Sequence, residues 1–175
     1  MVSKESAQKR VAIVIPTLNR NIPEIDKLIG LFVNHLLLQI DIRQDETFKT
    51  FVDRLNTKVI TAQNNQDVPF EQMLKDNNIQ LKGNTLYFGI QGFKREALRH
   101  SNLFEEISEM NQRDQKDAFS DLTLFVWGQN LDFNYSKALF KEETVQAFAE
   151  MYSEILDSVI KNPNIGLKEI FEEEI

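Results

Sequence analysis

Phe32-Val-Asn-His-Leu-Leu-Leu-Gln-Ile-Asp-Ile42 is the stretch that decides the fold class. Phe32, Asn34, Leu36, Leu38, Ile40 and Ile42 share one face at period two, and Val33, His35, Leu37, Gln39 and Asp41 share the other. Successive strand side chains point to opposite faces, so the pattern predicts a long strand, buried on both faces early and on one face late. Toward the N-terminus, Val11-Ala-Ile-Val-Ile15 is a β-branched run ended by Pro16. It is too short for a core helix and reads as a second buried strand. Thr17 to Ile25, with two prolines and several polar turn formers nearby, reads as a loop.

Beyond Ile42 the period changes. Phe48, Phe51, Val52, Leu55, Val59 and Ile60 recur at spacings of three and four, with Lys49, Asp53, Arg54 and Lys58 facing away. This predicts a helix capped by Asp45 and fading between Gln63 and Asn65. Leu86 to Ile90 and Asp121 to Trp127 read as further strands, and Leu131 to Tyr135 as another, joined to its predecessor by a turn at Gly128-Gln-Asn130. Lys94 to Lys116 is polar and mixed in charge, and reads as helix plus mobile loop. Glu142 to Lys161 carries an apolar stripe of Val145, Phe148, Ala149, Tyr152, Ile155, Leu156 and Val159, with Glu142 and Glu143 at the positive end of the helix dipole and Asn162-Pro163 as its stop. The expected fold class is α/β: a mixed sheet carrying two long helices. Without repeats or a low-complexity linker, one body is expected over 11–170, with a polar tail at 1–10 and an acidic tail at 171–175.

Composition narrows the function classes. Of the 175 residues 42% are hydrophobic and 27% charged, ordinary globular proportions with enough apolar material for a sizeable core. Twenty Lys+Arg against 27 Asp+Glu give a formal charge of −7, which disfavours nucleic acid and anionic membrane surfaces as partners. There is no cysteine, hence no disulfide framework, thiolate metal site or cysteine nucleophile. No segment approaches the ~18 apolar residues of a membrane span, and the expected location is the cytoplasm.

Three blocks carry more information than composition: Ile13-Val-Ile-Pro-Thr-Leu-Asn-Arg20, Ile29-Gly-Leu-Phe-Val-Asn34 and Gln66-Asp-Val-Pro-Phe-Glu71. In this order they resemble blocks in the later portion of the condensation domains of nonribosomal peptide synthetases. Pro16 stands where that family usually has Gly, Asn65 where it has His, and its Arg-x-Pro-Leu-Phe-like block appears only as Gly83-Asn-Thr-Leu-Tyr-Phe88. Asp121-Leu-Thr-Leu, Leu131 to Phe140 and the helix ending at Pro163 follow the family's closing pattern, so the resemblance covers roughly residues 11 to 170.

The resemblance implies part of one chloramphenicol-acetyltransferase-like lobe, and amide formation by attack of a carrier-bound amine on a carrier-bound thioester. It also implies a catalytic His-His-x-x-x-Asp-Gly motif in an N-terminal half. This chain has only His35 and His100, followed four residues later by Gln39 and Phe104, so neither begins such a motif. The expectation is a C-terminal portion that builds the floor and one wall of a tunnel and is inactive without the histidine-bearing half. The chain is expected to bind no cofactor itself, phosphopantetheine being presented by a peptidyl or acyl carrier protein. The expected partners are that carrier protein and the N-terminal half or another synthetase module, with homo-oligomerisation left open. The alternatives are a non-catalytic module that binds carriers or organises an assembly line, and a remnant without function of its own.

Among single residues, the resemblance places Asn34 near the reacting groups, where its amide would orient a thioester or amine; a strand Asn bonding neighbouring backbone is the competing reading. Gly30, Phe32, Asp67, Pro69 and Phe70 read as structural: Pro69 holds Val68 extended, Asp67 bonds turn N–H groups and Phe70 anchors the segment. His35, on a mostly apolar strand with neither nucleophile nor orienting partner nearby, reads as a core or edge histidine. Lys94, Arg95, Arg99 and His100 form a basic patch that either receives an acidic carrier or is a solvated helix face. Glu105, Glu106 and Glu109 lack a partner at metal-ligand spacing, and Gly89 and Gly92 lie in no phosphate-binding pattern.

Overall fold

The computed structural model describes residues 9–81, 86–91, 120–127 and 130–172. Strand β1, Arg10–Thr17, and strand β2, Asn34–Asp41, pair antiparallel with Val11 opposite Ile40 and Ile13 opposite Leu38. Strand β2 starts two residues later than the period-two pattern predicts, because Phe32 turns away to pack under an arginine in the preceding loop. That loop contains one helical turn, α1, Pro23–Asp26, with Pro at its first position, where a missing N–H costs nothing.

Three further strands complete the sheet: β3, Leu86–Gln91, β4, Leu122–Trp127, and β5, Asn130–Tyr135. The order is β2-β1-β3-β4-β5, with β1, β3 and β4 mutually parallel and an antiparallel strand at each edge. Register sorts the side chains into two faces. Val11, Ile13, Leu38, Ile40, Leu86, Phe88, Leu122, Leu124 and Phe133 share the first, and Val14, His35, Leu37, Tyr87, Gly89, Thr123 and Phe125 share the second.

Two long helices cover the first face. Helix α2, Phe48–Gln63, lies over β2, and helix α4, Glu142–Lys161, lies over β5 with Tyr152 edge-on to Phe133. Between them in sequence a short helix α3, Phe70–Asp76, follows Pro69 in the segment read as a helix exit. The cap of α2 is Thr47, not Asp45: Thr47 is extended and its Oγ1 accepts from the N–H of Thr50 at 3.2 Å. Asp45 lies two residues too early for that geometry, in the turn before the cap. The apolar stripes are also narrower than their periodicity predicts, since Val52, Ile60 and Leu156 are exposed.

A last helix, α5, Leu167–Glu172, was not legible as an element. Ile165, Leu167 and Ile170 join Val159 of α4 in a buried cluster, against which Ile42, Phe48, Phe51 and Ile155 pack. The segment leading into α5 supplies carbonyl oxygens to the start of α2: the N–H of Phe48 donates to Ile165 O and that of Lys49 to Pro163 O, each at 2.9 Å. Arg54 of α2 is held by Glu46, whose carboxylate is 8% exposed, and donates to Asp41 O at 2.7 Å.

Over the central strands the helices and the sheet stand apart. Ile13, Phe88 and Leu124 below and Phe51, Leu55 and Ile155 above line an open apolar gap of about 350 Å³. An engineered core cavity of ~150 Å³ already holds a benzene molecule, and protein interiors ordinarily pack like organic crystals.

Candidate functional site

The three sequence blocks, the last more than thirty residues beyond the second, meet at one end of β1 and β2. Thr17 at the end of β1 donates through Oγ1 to Gln66 Oε1. Asn21 Nδ2 donates to Asp67 Oδ1 at 2.8 Å. Arg20 donates to Ile25 O, and its guanidinium lies 4.3 Å from the ring centroid of Phe32, a cation–π contact that fixes the loop between β1 and β2. Asn19 takes the left-handed conformation at φ 51°, which asparagine tolerates better than most residues.

Asn34 is the centre of this junction. Its Nδ2 donates to Gln66 O at 2.7 Å and to Val68 O at 2.8 Å, while its Oδ1 accepts from the N–H of Phe70 at 3.2 Å and of His35 at 2.9 Å. Both donors and both acceptor positions of the amide are thereby engaged by backbone. Pro69, which has no N–H, is the N-cap of α3, and its ψ of 137° sends Phe70 inward. Asp67 bonds the Asn21 side chain across the junction. Gly30 leaves room for the Phe32 ring, since a Cβ there would lie 3.0 Å from the ring edge and require the ring to shift by a few tenths of an ångström.

His35, the next residue along β2, turns to the second face of the sheet. Its ring meets Phe70 edge-on at 5.6 Å and Tyr87 at 5.8 Å, and Tyr87 meets Phe125 at 5.6 Å. The row bridges over β1, where Val14 is buried beneath it at 4% exposure. Burial lowers the His35 pKa below its usual value, with Glu71 opposing the shift. Burial likewise raises the Tyr87 phenol. A folded-state His pKa below the unfolded value of ~6.5 means that the unfolded chain binds the proton more tightly. The His35 contribution to stability is therefore complete above pH ~6.5 and is lost as pH falls through the folded pKa. The thermal midpoint is expected to decline between pH 7.5 and 5, and His35→Gln to flatten that slope. Asp41, held low chiefly by its hydrogen bond from Arg10, loses its contribution only in the acid range below ~4, outside this window. An unchanged slope in the variant would remove His35 as its cause.

The family model for the condensation domain matches residues 1–172. The chain belongs to the condensation domain family. Gramicidin S synthase 2 of Aneurinibacillus migulanus is 28% identical over 183 residues, covering 97% of this chain and 4% of that protein. Surfactin synthase subunit 1 of Bacillus subtilis is 28% identical, over 97% of this chain and 5% of its own length. Malpinin synthetase of Mortierella alpina reaches 34% identity over 157 residues, 83% of this chain and 2% of its own. Among solved structures, a four-domain nonribosomal peptide synthetase bound to AMP and glycine superposes with a TM-score of 0.80 at 15% identity, over 96% of this chain and 14% of that one. The first condensation domain of the calcium-dependent antibiotic synthetase superposes at 0.73 with 12% identity, over 96% of this chain and 38% of that chain. The chain thus spans a few per cent of the curated relatives it matches, and its fold is that of the condensation domains.

Lys94, Arg95, Arg99 and His100 lie outside the described residues, as do Gly92, Glu105, Glu106 and Glu109. The turn at Gly128-Gln129 and the helix-plus-loop reading of 94–116 fall there too. Among the described residues no group of three or more His, Asp or Glu could hold a metal, and no helix is long and apolar enough to cross a membrane. Sequence reasoning did not find the aromatic row. Its signal is present in the alternate residues of β3 and β4, where Tyr87 with Gly89 and Thr123 with Phe125 break runs otherwise read as uniformly buried.

Proposed function

We propose that the chain is the C-terminal portion of a nonribosomal peptide synthetase condensation domain, forming the floor and one wall of its tunnel and completed by a histidine-bearing half. The observation that carries this reading is apolar surface that no described residue covers. Beside the junction Ile29 and Leu31 stand 105% and 94% exposed, with Ile22, Leu28 and Val33 around them, a clustering that marks an interface rather than a solvated loop. The gap between the sheet and α2 and α4 points the same way.

In the completed domain the carrier-bound amine attacks the carrier-bound thioester carbonyl. The C–N bond forms, the C–S bond breaks, and the thiol departs with the proton lost by the amine, whose transfer falls to the histidine-bearing half. The phosphopantetheine arms belong to the carrier proteins, in the cytoplasm, and the basic residues proposed to receive a carrier are Lys94, Arg95 and Arg99. The test is co-expression with a half that carries His-His-x-x-x-Asp-Gly, followed by light scattering and mass spectrometry of products from loaded carriers. A one-to-one complex that forms amide is expected, with no product from either half alone. Product from this chain alone, or failure of the halves to associate, would overturn the reading.

A further inference from the structure

The loop between β1 and β2 runs from Leu18 to Val33 and displays apolar side chains instead of burying them. Ile29 and Leu31 are 105% and 94% exposed, with Leu28 beside them at 53%. A loop free to collapse would fold such side chains back against itself, because water disfavours apolar surface. Here the loop is held open. We infer that Arg20 is a positioning residue for association, bracing the loop so that Leu28, Ile29 and Leu31 meet the histidine-bearing half ready-formed. The inference rests on the condensation reading above.

Arg20 joins three parts of the loop. It stands on the limb that leaves β1 and donates through Nη1 to Ile25 O in α1. Its guanidinium lies 4.3 Å from the centroid of the Phe32 ring, on the limb that returns to β2. Ile25 O also accepts from the N–H of Leu28 at 3.2 Å, so the carbonyl that Arg20 grips is the one that turns the chain toward the apolar tip. The ring that Arg20 grips lies close against that tip, since a Cβ on Gly30 would be 3.0 Å from it. Ile29 and Leu31 flank this glycine, so the placement of the ring constrains both. The outgoing limb is anchored in turn by Asn21, which donates to Asp67 Oδ1 at 2.8 Å.

The chemistry suits a brace. A guanidinium combines stacking on a ring with directional N–H donation, and an ammonium reproduces that pair of contacts only in part. Holding a loop in its bound shape removes the ordering cost from the docking step, which strengthens association without adding a contact. Holding apolar side chains in water is unfavourable for the isolated chain, and a covering partner reverses that cost. The chain superposes on 38% of the solved first condensation domain chain of the calcium-dependent antibiotic synthetase, so a domain of this family has further chain to lay over the tip.

The test has one arm on the chain alone and one on the pair. In the chain alone, Arg20→Met is expected to lower the NMR methyl order parameters of Ile29 and Leu31 while the thermal midpoint stays within about 3 °C of the parent. With the histidine-bearing half, the same variant is expected to weaken association about tenfold, the scale of one cation–π contact plus the ordering of a few side chains. Phe32→Leu should match it, the double variant should weaken association no further, and Arg20→Lys should recover part of the loss. Parent-like affinity in Arg20→Met, unchanged methyl order, additive losses, or a loss that only tracks a lowered midpoint would overturn the inference. If the parent halves do not associate, the condensation reading fails, and the methyl arm still decides whether Arg20 holds the loop.

Discussion

Ile170→Asp will lower the thermal midpoint by about 6–20 °C, if ~3–5 kcal/mol is lost at ~2–4 °C per kcal/mol for a chain of this size. Ile170 is 8% exposed within the cluster of Val159, Ile165 and Leu167. Aspartate there removes apolar contact and places a carboxylate without a partner, two penalties that add. The effect reaches beyond α5, because the segment before it also caps the start of α2. The first N–H groups of a helix have no partner within it. Here Phe48 and Lys49 find theirs in the carbonyls of Ile165 and Pro163, and Thr50 in Thr47 Oγ1. Leu167 N–H returns a bond to Glu46 O at 2.9 Å, and Thr47 bridges Gly166. Loosening 163–172 therefore releases both long helices from one another. Thermal melts by circular dichroism check this, with exposed Lys168→Ala as the control. A midpoint within 3 °C of the parent would mean that the segment is an appendage.

The elements legible in the sequence were those whose own periodicity specifies them. Val11 to Ile15, Leu86 to Ile90 and the stripe of Glu142 to Lys161 bury a face that repeats at the period of the element, and each was found where expected. Errors arose where a distant partner decides. Asp45 is chemically a good cap, but α2 begins where the segment at 163–166 meets it, and that contact is about 117 residues away. Phe32 continues the strand's alternation on paper, yet the guanidinium of Arg20 draws it out of the sheet. Val52 and Ile60 belong to an apolar stripe whose flank has nothing described to cover it. The three blocks were recognisable as resemblances, but no spacing along the chain tells that Thr17, Asn21 and Asn34 all bond the segment 66–70. The aromatic row needed register as well. Only pairing places Tyr87 beside Thr123 and brings His35 across β1 to meet it.

Asn34→Ala will separate two roles that one amide might serve, holding the junction and orienting a substrate. Four backbone groups lose a partner at once. At ~1 kcal/mol net for each hydrogen bond, with half-burial limiting the penalty for unsatisfied groups, the expected loss is about 2–4 kcal/mol. Asn34→Asp is the sharper probe. A carboxylate still accepts from the N–H groups of Phe70 and His35, but its second oxygen faces the carbonyls of Gln66 and Val68 with lone pairs instead of protons. At neutral pH it should therefore stabilise no better than alanine, despite being nearly isosteric with asparagine. Below pH ~4, the ordinary carboxyl range, the protonated acid regains one donor, and the gap between the Asp variant and the parent should narrow. In the reconstituted pair, activity that falls only in proportion to the folded fraction assigns Asn34 to the junction. Activity that collapses while the melt stays within 2 °C of the parent assigns it to the substrate, because an orienting amide acts on the reacting group and leaves the fold's free energy unchanged.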